Sequence, residues 1–282
     1  MARQKIQLAD DLPPQLAPID AQDGLVPSNQ RRPVLEVKGL EVAYGGKPAV
    51  VQICCHFLGE SVTAIMGPSG CGKSTLLKSL NRSIELTEGA TITSGSVTFL
   101  KQNIYDSTVD PRIIKKRIGI IQQRPIIFPM SILENVLFGA KFYKTFQGIP
   151  AREYGEYCLD RVGLIEEVRD RLDEPGSGLS GGQQQRLCLA RTLANKPEVI
   201  LMDEPCSAID PVATGRIEEL IAELKTAYTI IVVTHNIAQA NRISDQAILM
   251  VGGKIIEAGS NESLFQSPRT EIAHNFLSGQ FG

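Results

Sequence analysis

The sequence predicts an α/β protein built on a parallel sheet, and three observations carry that prediction. A β-branched run, Val62-Thr63-Ala64-Ile65-Met66, leads through a Gly-rich turn into Leu76-Leu77-Lys78-Ser79-Leu80 at helical spacing. Two further runs, Val199-Ile200-Leu201-Met202 and Thr229-Ile230-Ile231-Val232-Val233, are apolar at consecutive positions, as strands buried on both faces are. Helix-spaced stretches lie between such runs, at Ile132 to Phe138, Leu187 to Ala194 and Ile217 to Leu224, and parallel strands need crossovers of that kind.

The bulk numbers allow a full core. At 282 residues, with 43% hydrophobic and 21% charged side chains, the composition is that of an ordinary globular protein. A net charge of −2 supplies no general attraction to nucleic acid. No apolar run approaches the roughly 18 residues that span a bilayer, and Met1 to Gln7 contains no apolar signal core. Six cysteines, at 54, 55, 71, 158, 188 and 206, show no C-x-x-C spacing. They are expected to be buried free thiols of a protein in a reducing cytosol.

Residues 1–33 carry Pro13, Pro14, Pro18, Pro27 and Pro33 with few large apolar groups, which predicts a flexible N-terminal arm. From Val34 the pattern changes. Val34 to Val37 and Leu40 to Tyr44 read as short strands before a Gly45-Gly46 turn, and Ala49 to Phe57 as another. Tyr44 is either a platform for a flat base or a packed edge-strand tyrosine.

The turn after Met66 is Gly67-Pro68-Ser69-Gly70-Cys71-Gly72-Lys73-Ser74-Thr75. Between a strand and a helix, the pattern G-x-x-x-x-G-K-S/T is a phosphate-binding P-loop. Phosphate oxygens must approach backbone N–H groups, and a Cβ at Gly67, Gly70 or Gly72 is expected to obstruct that curl. The positive helix start adds about 0.3–1 kcal/mol per anionic group. Lys73 can reach β- and γ-phosphates, and the Ser74 hydroxyl can ligate Mg²⁺. Four such fixed positions arise by chance in a chain of this length roughly 1% of the time, so a nucleoside triphosphate is the expected ligand.

Gly95 to Phe99 and Arg117 to Gln123 read as strands, the second ending in two glutamines before Arg124-Pro125. Gln123 is either a metal or water ligand at a strand end or a solvated loop residue. Phe128 to Ser177 reads as a helical insertion punctuated by Pro129, Pro150 and Pro175. Then Leu179-Ser180-Gly181-Gly182-Gln183 opens a second helix, with Ser180 placed to cap it and two glycines leaving backbone donors bare. The next strand ends in Asp203-Glu204-Pro205. Asp203 can hold Mg²⁺ through its water shell and Glu204 can deprotonate a water, at the sheet edge where parallel strands bind ligands. His235 ends the strand from Thr229 and is either a γ-phosphate contact or a structural histidine. Ile248 to Val251 and Lys254 to Glu257 read as a hairpin over Gly252-Gly253.

Taken together, GPSGCGKST, Gln123, LSGGQ, LMDEP, SAID and Thr234-His235, in that order, resemble the ATP-hydrolysing subunits of ABC transporters. The resemblance covers residues 34–282. It implies a P-loop NTPase core with a RecA-like parallel sheet, an antiparallel β subdomain, and a helical subdomain at about 124–180 that carries the signature motif. It also implies a head-to-tail dimer, in which ATP lies between the P-loop of one copy and Ser180, Gly181, Gly182 and Gln183 of the other. By the same resemblance, Tyr44 stacks on adenine and Gly67 to Thr75 hold the phosphates. Ser74, Gln123 and Asp203 hold Mg²⁺, Glu204 is the base, His235 is the γ-phosphate switch and Asp210 is a dimer contact.

Leu80-Asn81-Arg82, Phe128-Pro129-Met130-Ser131-Ile132, Gln183-Gln184-Gln185-Arg186-Leu187-Cys188, Pro205-Cys206-Ser207-Ala208 and Gly279-Gln280-Phe281-Gly282 are similar to the phosphate-import members of that family. Gln122, Ile209 and Gln280 depart from their usual pattern. This narrower resemblance implies a peripheral subunit on the cytoplasmic face of the cell (inner) membrane. Its partners there are two transmembrane permease subunits and, indirectly, an extracytoplasmic phosphate-binding protein. ATPases of importers for phosphonate or amino acids are the nearest alternative. A soluble ABC-type ATPase of DNA repair or translation is disfavoured by a single ATPase unit without long coiled-coil insertions. A P-loop kinase is disfavoured by LSGGQ followed by DEP.

Overall fold

The computed structural model describes residues 32–207 and 209–280. The arm expected over residues 1–33 lies outside them except for Arg32 and Pro33, and so do Ala208, Phe281 and Gly282 of the motifs above.

Strands β1 (Pro33–Tyr44) and β2 (Lys47–Leu58) pair over Gly45-Gly46, whose φ angles of 53° and 82° suit a two-residue hairpin turn. The two short strands expected at 34–44 are therefore one. Its register slips between Val37 and Leu40, where Gly39 at φ 58° bends the strand. Next come β3 (Val62–Met66), α1 (Lys73–Ser79), β4 (Ala90–Phe99) and β5 (Gln102–Asn103). Helix α2 (Pro111–Arg117), capped by Asp110, feeds straight into β6 (Ile118–Ile121). That strand stops short of the expected Gln123, so both glutamines sit in the connection beyond it.

Three helices follow: α3 (Ile132–Tyr143), α4 (Ala151–Asp160) and α5 (Ile165–Val168). The remainder is α6 (Gly181–Leu193), β7 (Val199–Asp203), α7 (Pro211–Leu224), β8 (Thr229–Val233), α8 (Ile237–Ile243), β9 (Gln246–Val251), β10 (Lys254–Ser260), α9 (Asn261–Gln266) and α10 (Glu271–Leu277).

Two sheets result. An antiparallel one has the order β2-β1-β4-β5, and a second has the order β10-β9-β3-β8-β7-β6. In the second, β9, β3, β8, β7 and β6 are parallel and only β10 runs against its neighbour. The unbroken apolar runs are explained by what covers each face. Ile200, Met202, Ile230 and Val232 pack with the helical residues of α3, α4 and α6, whereas Val199, Leu201, Ile231 and Val233 pack with the antiparallel sheet and α1. A third, smaller cluster joins Met66 of β3 and Leu249 of β9 to Leu264, Ala273 and Phe276. Alternation inside each strand thus divides one continuous hydrophobic sequence between opposite layers.

The connection after Gln123 is tied down by Asn135, which is 0% exposed. Its Oδ1 accepts from the Phe128 N–H at 3.0 Å and its Nδ2 donates to the carbonyls of Met130 and Ser131 at 3.1 and 2.9 Å. Arg191 of α6 lies over the Phe128 ring at 4.3 Å. At the far end, buried Glu257 accepts from the N–H groups of Arg269 and Thr270 at 2.9 and 3.0 Å, fixing the start of α10 against β10.

The cysteine expectation holds in part. All six are free. Cys71, Cys158 and Cys188 are buried, but Cys55 and Cys206 are only half-buried and Cys54 is exposed. The reason for Cys54 is the strand's alternation: Ile53, Cys55 and Phe57 of β2 face the core, so Cys54 between them faces outward. Among the described residues, no helix is long and apolar enough to cross a membrane.

Candidate active site

The carboxyl ends of β3, β6, β7 and β8 meet at one edge of the parallel sheet, because those four strands run the same way. That edge opens on a cleft of about 980 Å³, lined by Tyr44, Gly67 to Gly70, Gly72 to Thr75, Gln123, Glu204 and His235. Topology therefore brings together residues drawn from five separate stretches of chain.

The glycine-rich turn is shaped by packing as well as by any ligand. Gly67 has φ 146°, and a Cβ there would sit 2.0 Å from the Met250 carbonyl oxygen of β9. Gly72 has φ 99°, and its Cβ would sit 2.5 Å from the Ala49 oxygen of β2. Gly70, at φ 75°, has open space around it, so only its backbone conformation calls for glycine. The expected crowding is found at Gly67 and Gly72, where the obstructing atoms belong to neighbouring strands, and is absent at Gly70. The turn is also pinned by Gly253, whose N–H donates to the Cys71 carbonyl at 3.1 Å while its own carbonyl accepts from Val51 at 2.8 Å.

Lys73 is buried, and its ammonium donates to the carbonyls of Gly67 and Pro68 at 2.7 and 2.9 Å. Its Nζ also lies 3.9 Å from the Cys71 sulfur. Burial pushes the Cys71 thiol above its ordinary value, against the pull of the lysine charge. No side chain caps α1, whose N-cap position is Gly72, so the helix presents bare backbone donors beside the cleft. Tyr44 is half-buried at the end of β1, with its hydroxyl 3.2 Å from Thr75 Oγ1.

Behind the turn, Ser74 Oγ donates to Asp203 Oδ1 at 2.9 Å. Burial raises the Asp203 carboxyl above the usual range and the Glu204 charge adds to it, while the Ser74 hydroxyl and the lysines at 73 and 78 oppose the rise. A cation beside Asp203 would reverse that balance. One hydroxyl and one carboxylate, with the Gln123 amide close by, are hard oxygen donors of the kind Mg²⁺ takes when substrate phosphates complete its shell.

Glu204 is held in an unusual backbone state. Its φ is 48°, left-handed for a non-glycine residue, at a cost of about 1–2 kcal/mol. The Glu204 N–H donates to the Val233 carbonyl at 2.8 Å, which keeps the residue there. The result turns the carboxylate into the cleft between two partners. Gln123 Nε2 donates to its Oε2 at 2.9 Å, and His235 Nδ1 lies 3.1 Å from its Oε1. Glu204 and His235 also border an adjoining cavity of about 360 Å³, reached from Pro211 and Thr214 at the start of α7.

Not every expected residue joins this cleft. Ser180, Gly181, Gly182 and Gln183 are not among its lining residues, and Ser180 and Gly181 are exposed. Ser180 caps α6 as expected, accepting from the Gln183 N–H while the Gln183 side chain accepts from the Ser180 N–H. Asp210 caps α7, accepting from Val212 and Ala213 at 2.9 and 3.0 Å; these N–H groups, Ala213 foremost, hold its carboxyl below the usual range. Sequence reasoning overlooked Ile237 and Phe276 and gave Gly279 no place at the site, yet all three line the cleft. Ile237 and Phe276 stand in no motif, and the packing of α8 and α10 beside β3 brings them there.

Known proteins resemble the chain along most of its length. Residues 55–207 match the family model described as ABC transporter. The "Phosphate import ATP-binding protein PstB" of Mycolicibacterium paratuberculosis is 47% identical over 259 residues, covering 88% of this chain and 98% of that protein. The protein of the same name from Mycobacterium leprae is 46% identical over the same shares. Among solved structures, CbiO1 of Clostridium perfringens, part of the ABC transporter complex CbiONQ, aligns with a TM-score of 0.72 at 28% identity, over 89% of this chain and 97% of that one. A bacterial Atm1-family ABC exporter with ATP bound aligns at 0.74, but at 23% identity and over 44% of its own length, so it speaks for the fold alone. With a family match over more than half its residues and relatives close to half identical, the chain belongs to the ABC transporter family.

Proposed function

We propose that the chain is the ATP-hydrolysing subunit of an ABC importer, coupling ATP binding and hydrolysis to inorganic phosphate uptake across the cytoplasmic membrane. The observation that carries the hydrolytic half is the placement of Glu204, gripped by Gln123 and His235 at the mouth of the cleft formed by Gly67 to Thr75. Phosphate as the transported solute rests on the near-full-length likeness to the two phosphate import proteins.

In this reading the ATP phosphates lie along Gly67, Pro68, Ser69, Gly70, Cys71, Gly72, Lys73, Ser74 and Thr75, with adenine against Tyr44. Lys73 exchanges its loop carbonyls for phosphate oxygens. Ser74, Asp203 and Gln123 would hold Mg²⁺, which when bound would supply neutralisation of the phosphate charge. Glu204 takes the proton of the attacking water, and His235 orients Glu204 and touches the γ-phosphate. Ser180, Gly181, Gly182 and Gln183 complete the site from a second copy arranged head to tail, with Asp210 at the contact between copies. This is why a capped helix start lies exposed and apart from its own cleft. Two permease subunits receive the motion through Gln123 and the helices that follow it, and the chain lies on the cytoplasmic face of the membrane, with a phosphate-binding protein outside.

Reconstitution of the chain with its permeases in proteoliposomes tests the reading. Phosphate-loaded binding protein supplied at the outer face is expected to raise ATP hydrolysis several-fold and to drive phosphate inward. Stimulation by a phosphonate- or amino-acid-loaded binding protein instead would overturn the choice of solute.

A further inference from the structure

Glu167 of α5 stands in no motif, yet it binds three side chains from two other helices. Its Oε2 accepts from Gln183 Nε2 at 2.8 Å and from Arg186 at 3.0 Å. Its Oε1 accepts from Arg216 of α7 at 2.8 Å and lies 2.9 Å from Arg186 Nη1. The Arg186 side chain is only 6% exposed, and a second contact anchors it, a donation to the Gly163 carbonyl at 2.7 Å. Arg186 foremost, with Gln183 and Arg216, holds the Glu167 carboxyl below its usual range despite partial burial.

The geometry decides which way the Gln183 amide faces. Its Oε1 accepts the Ser180 N–H at 2.9 Å, closing the capping box at the start of α6. Turned over, the amide would set Oε1 against a carboxylate oxygen and an NH₂ group against an N–H, repulsive at both ends. A carboxylate accepts only, so Glu167 permits one orientation where a neutral partner would tolerate two. The same carboxylate ties this turn to α7 through Arg216. There Ala213 is packed so closely that a Cβ at Gly182 would lie 2.8 Å from the Ala213 Cβ. Helix α7 in turn is capped by Asp210, just beyond the Glu204 segment.

We propose that Glu167 is a positioning residue for the Ser180–Gln183 turn, fixing the Gln183 amide so that the turn meets the nucleotide held by the second copy. The proposal rests on the head-to-tail reading above. Glu167 touches no part of the cleft in its own chain, so its effect falls on pairing of copies and not on first binding of ATP.

The test uses the full chain in a Glu204→Gln background, with MgATP-driven dimerisation followed by analytical ultracentrifugation and ATP affinity by a fluorescent ATP analogue under monomeric conditions. Adding Glu167→Gln is expected to raise the MgATP concentration for half-dimerisation about tenfold or more, the size of effect carried by a lost hydrogen bond to a charged group. Monomer affinity is expected to stay within about twofold, which a general loss of structure would not allow. Arg216→Ala, at a half-exposed position on α7, covers the case in which Glu167→Gln does not fold, and is expected to act in the same direction by about threefold. Unchanged dimerisation in the variants overturns the proposal, and so does a parallel loss of monomer affinity. If the Glu204→Gln parent itself stays monomeric at saturating MgATP, the head-to-tail reading fails and the proposal falls with it.

Discussion

His235 Nδ1 sits 3.1 Å from Glu204 Oε1, joining the end of β8 to the residue that follows β7. With Gln123 on the other carboxylate oxygen, Glu204 has little freedom to turn. Replacing it by glutamine keeps the shape and removes the capacity to take a proton. Glu204→Gln is expected to leave ATP affinity within about twofold and to lower turnover by roughly 10²–10⁴, the range of general-base catalysis. Equilibrium binding beside phosphate-release kinetics checks it, and near-normal turnover would take Glu204 out of the role.

His235→Ala removes an orienting contact from an exposed side chain outside the packed core. The fold is expected to keep its melting temperature within a few degrees, while kcat falls about tenfold to a hundredfold with little change in KM. A rise in KM at constant kcat would make the histidine a binding group alone.

The three turn glycines should not behave alike. Gly67→Ala and Gly72→Ala drive a Cβ into backbone oxygens of β9 and β2, so each is expected to destabilise the fold by about 3 kcal/mol or more. Gly70→Ala meets open space and carries only the backbone cost, about 1–2 kcal/mol. Chemical denaturation of the three variants checks the order, and equal losses would contradict it.

Ser180→Ala deletes the hydroxyl that accepts the Gln183 N–H. The loss of such a cap costs about 1 kcal/mol. ATP affinity of the single chain is expected to be unaffected, with MgATP-driven pairing in the Glu204→Gln background weakened. Sedimentation profiles of the paired and unpaired species read the result.

Glu257 makes stability depend on acid. Burial works to raise its carboxyl, but donation from Arg269 and Thr270 wins and holds it below the usual 4.5. A lowered carboxyl contributes stability that is fully present above its unfolded value and is lost as pH falls through the folded one. The wild-type melting temperature is thus expected to drop below about pH 4.5 more steeply than that of Glu257→Gln, which is less stable at neutral pH. Parallel melting curves for the two proteins would contradict this.

Most of the sheet was legible because its strands are apolar almost without interruption, and because Gly67-Pro68, Asp203-Glu204 and Thr234-His235 each stand where a strand runs out. The strand through Gln123 is overextended in the sequence reading because Arg124-Pro125 is the first local break, whereas the pairing of β6 with β7 stops at Ile121 opposite Met202. The bend in β1 was read as a gap, since Lys38-Gly39 looks like a break and a bulge preserves pairing across it. Ile237, Phe276 and Glu167 were not legible at all. Each acts through helix placement, and no spacing in the chain records which distant helix will pack beside it.

The hydrogen bonds of Gly253 to Cys71 and Val51, and the contact of Gly67 with Met250, have a bearing on how far the protein can be trimmed. The stretch that matches the family model, 55–207, contains the turn but neither the hairpin of β9 and β10 nor the β1–β2 turn that bracket it. Cut to that stretch, the chain would keep its motif and lose the two walls that curl it. The smallest fragment able to grip a nucleotide has to reach from the first hairpin to the last.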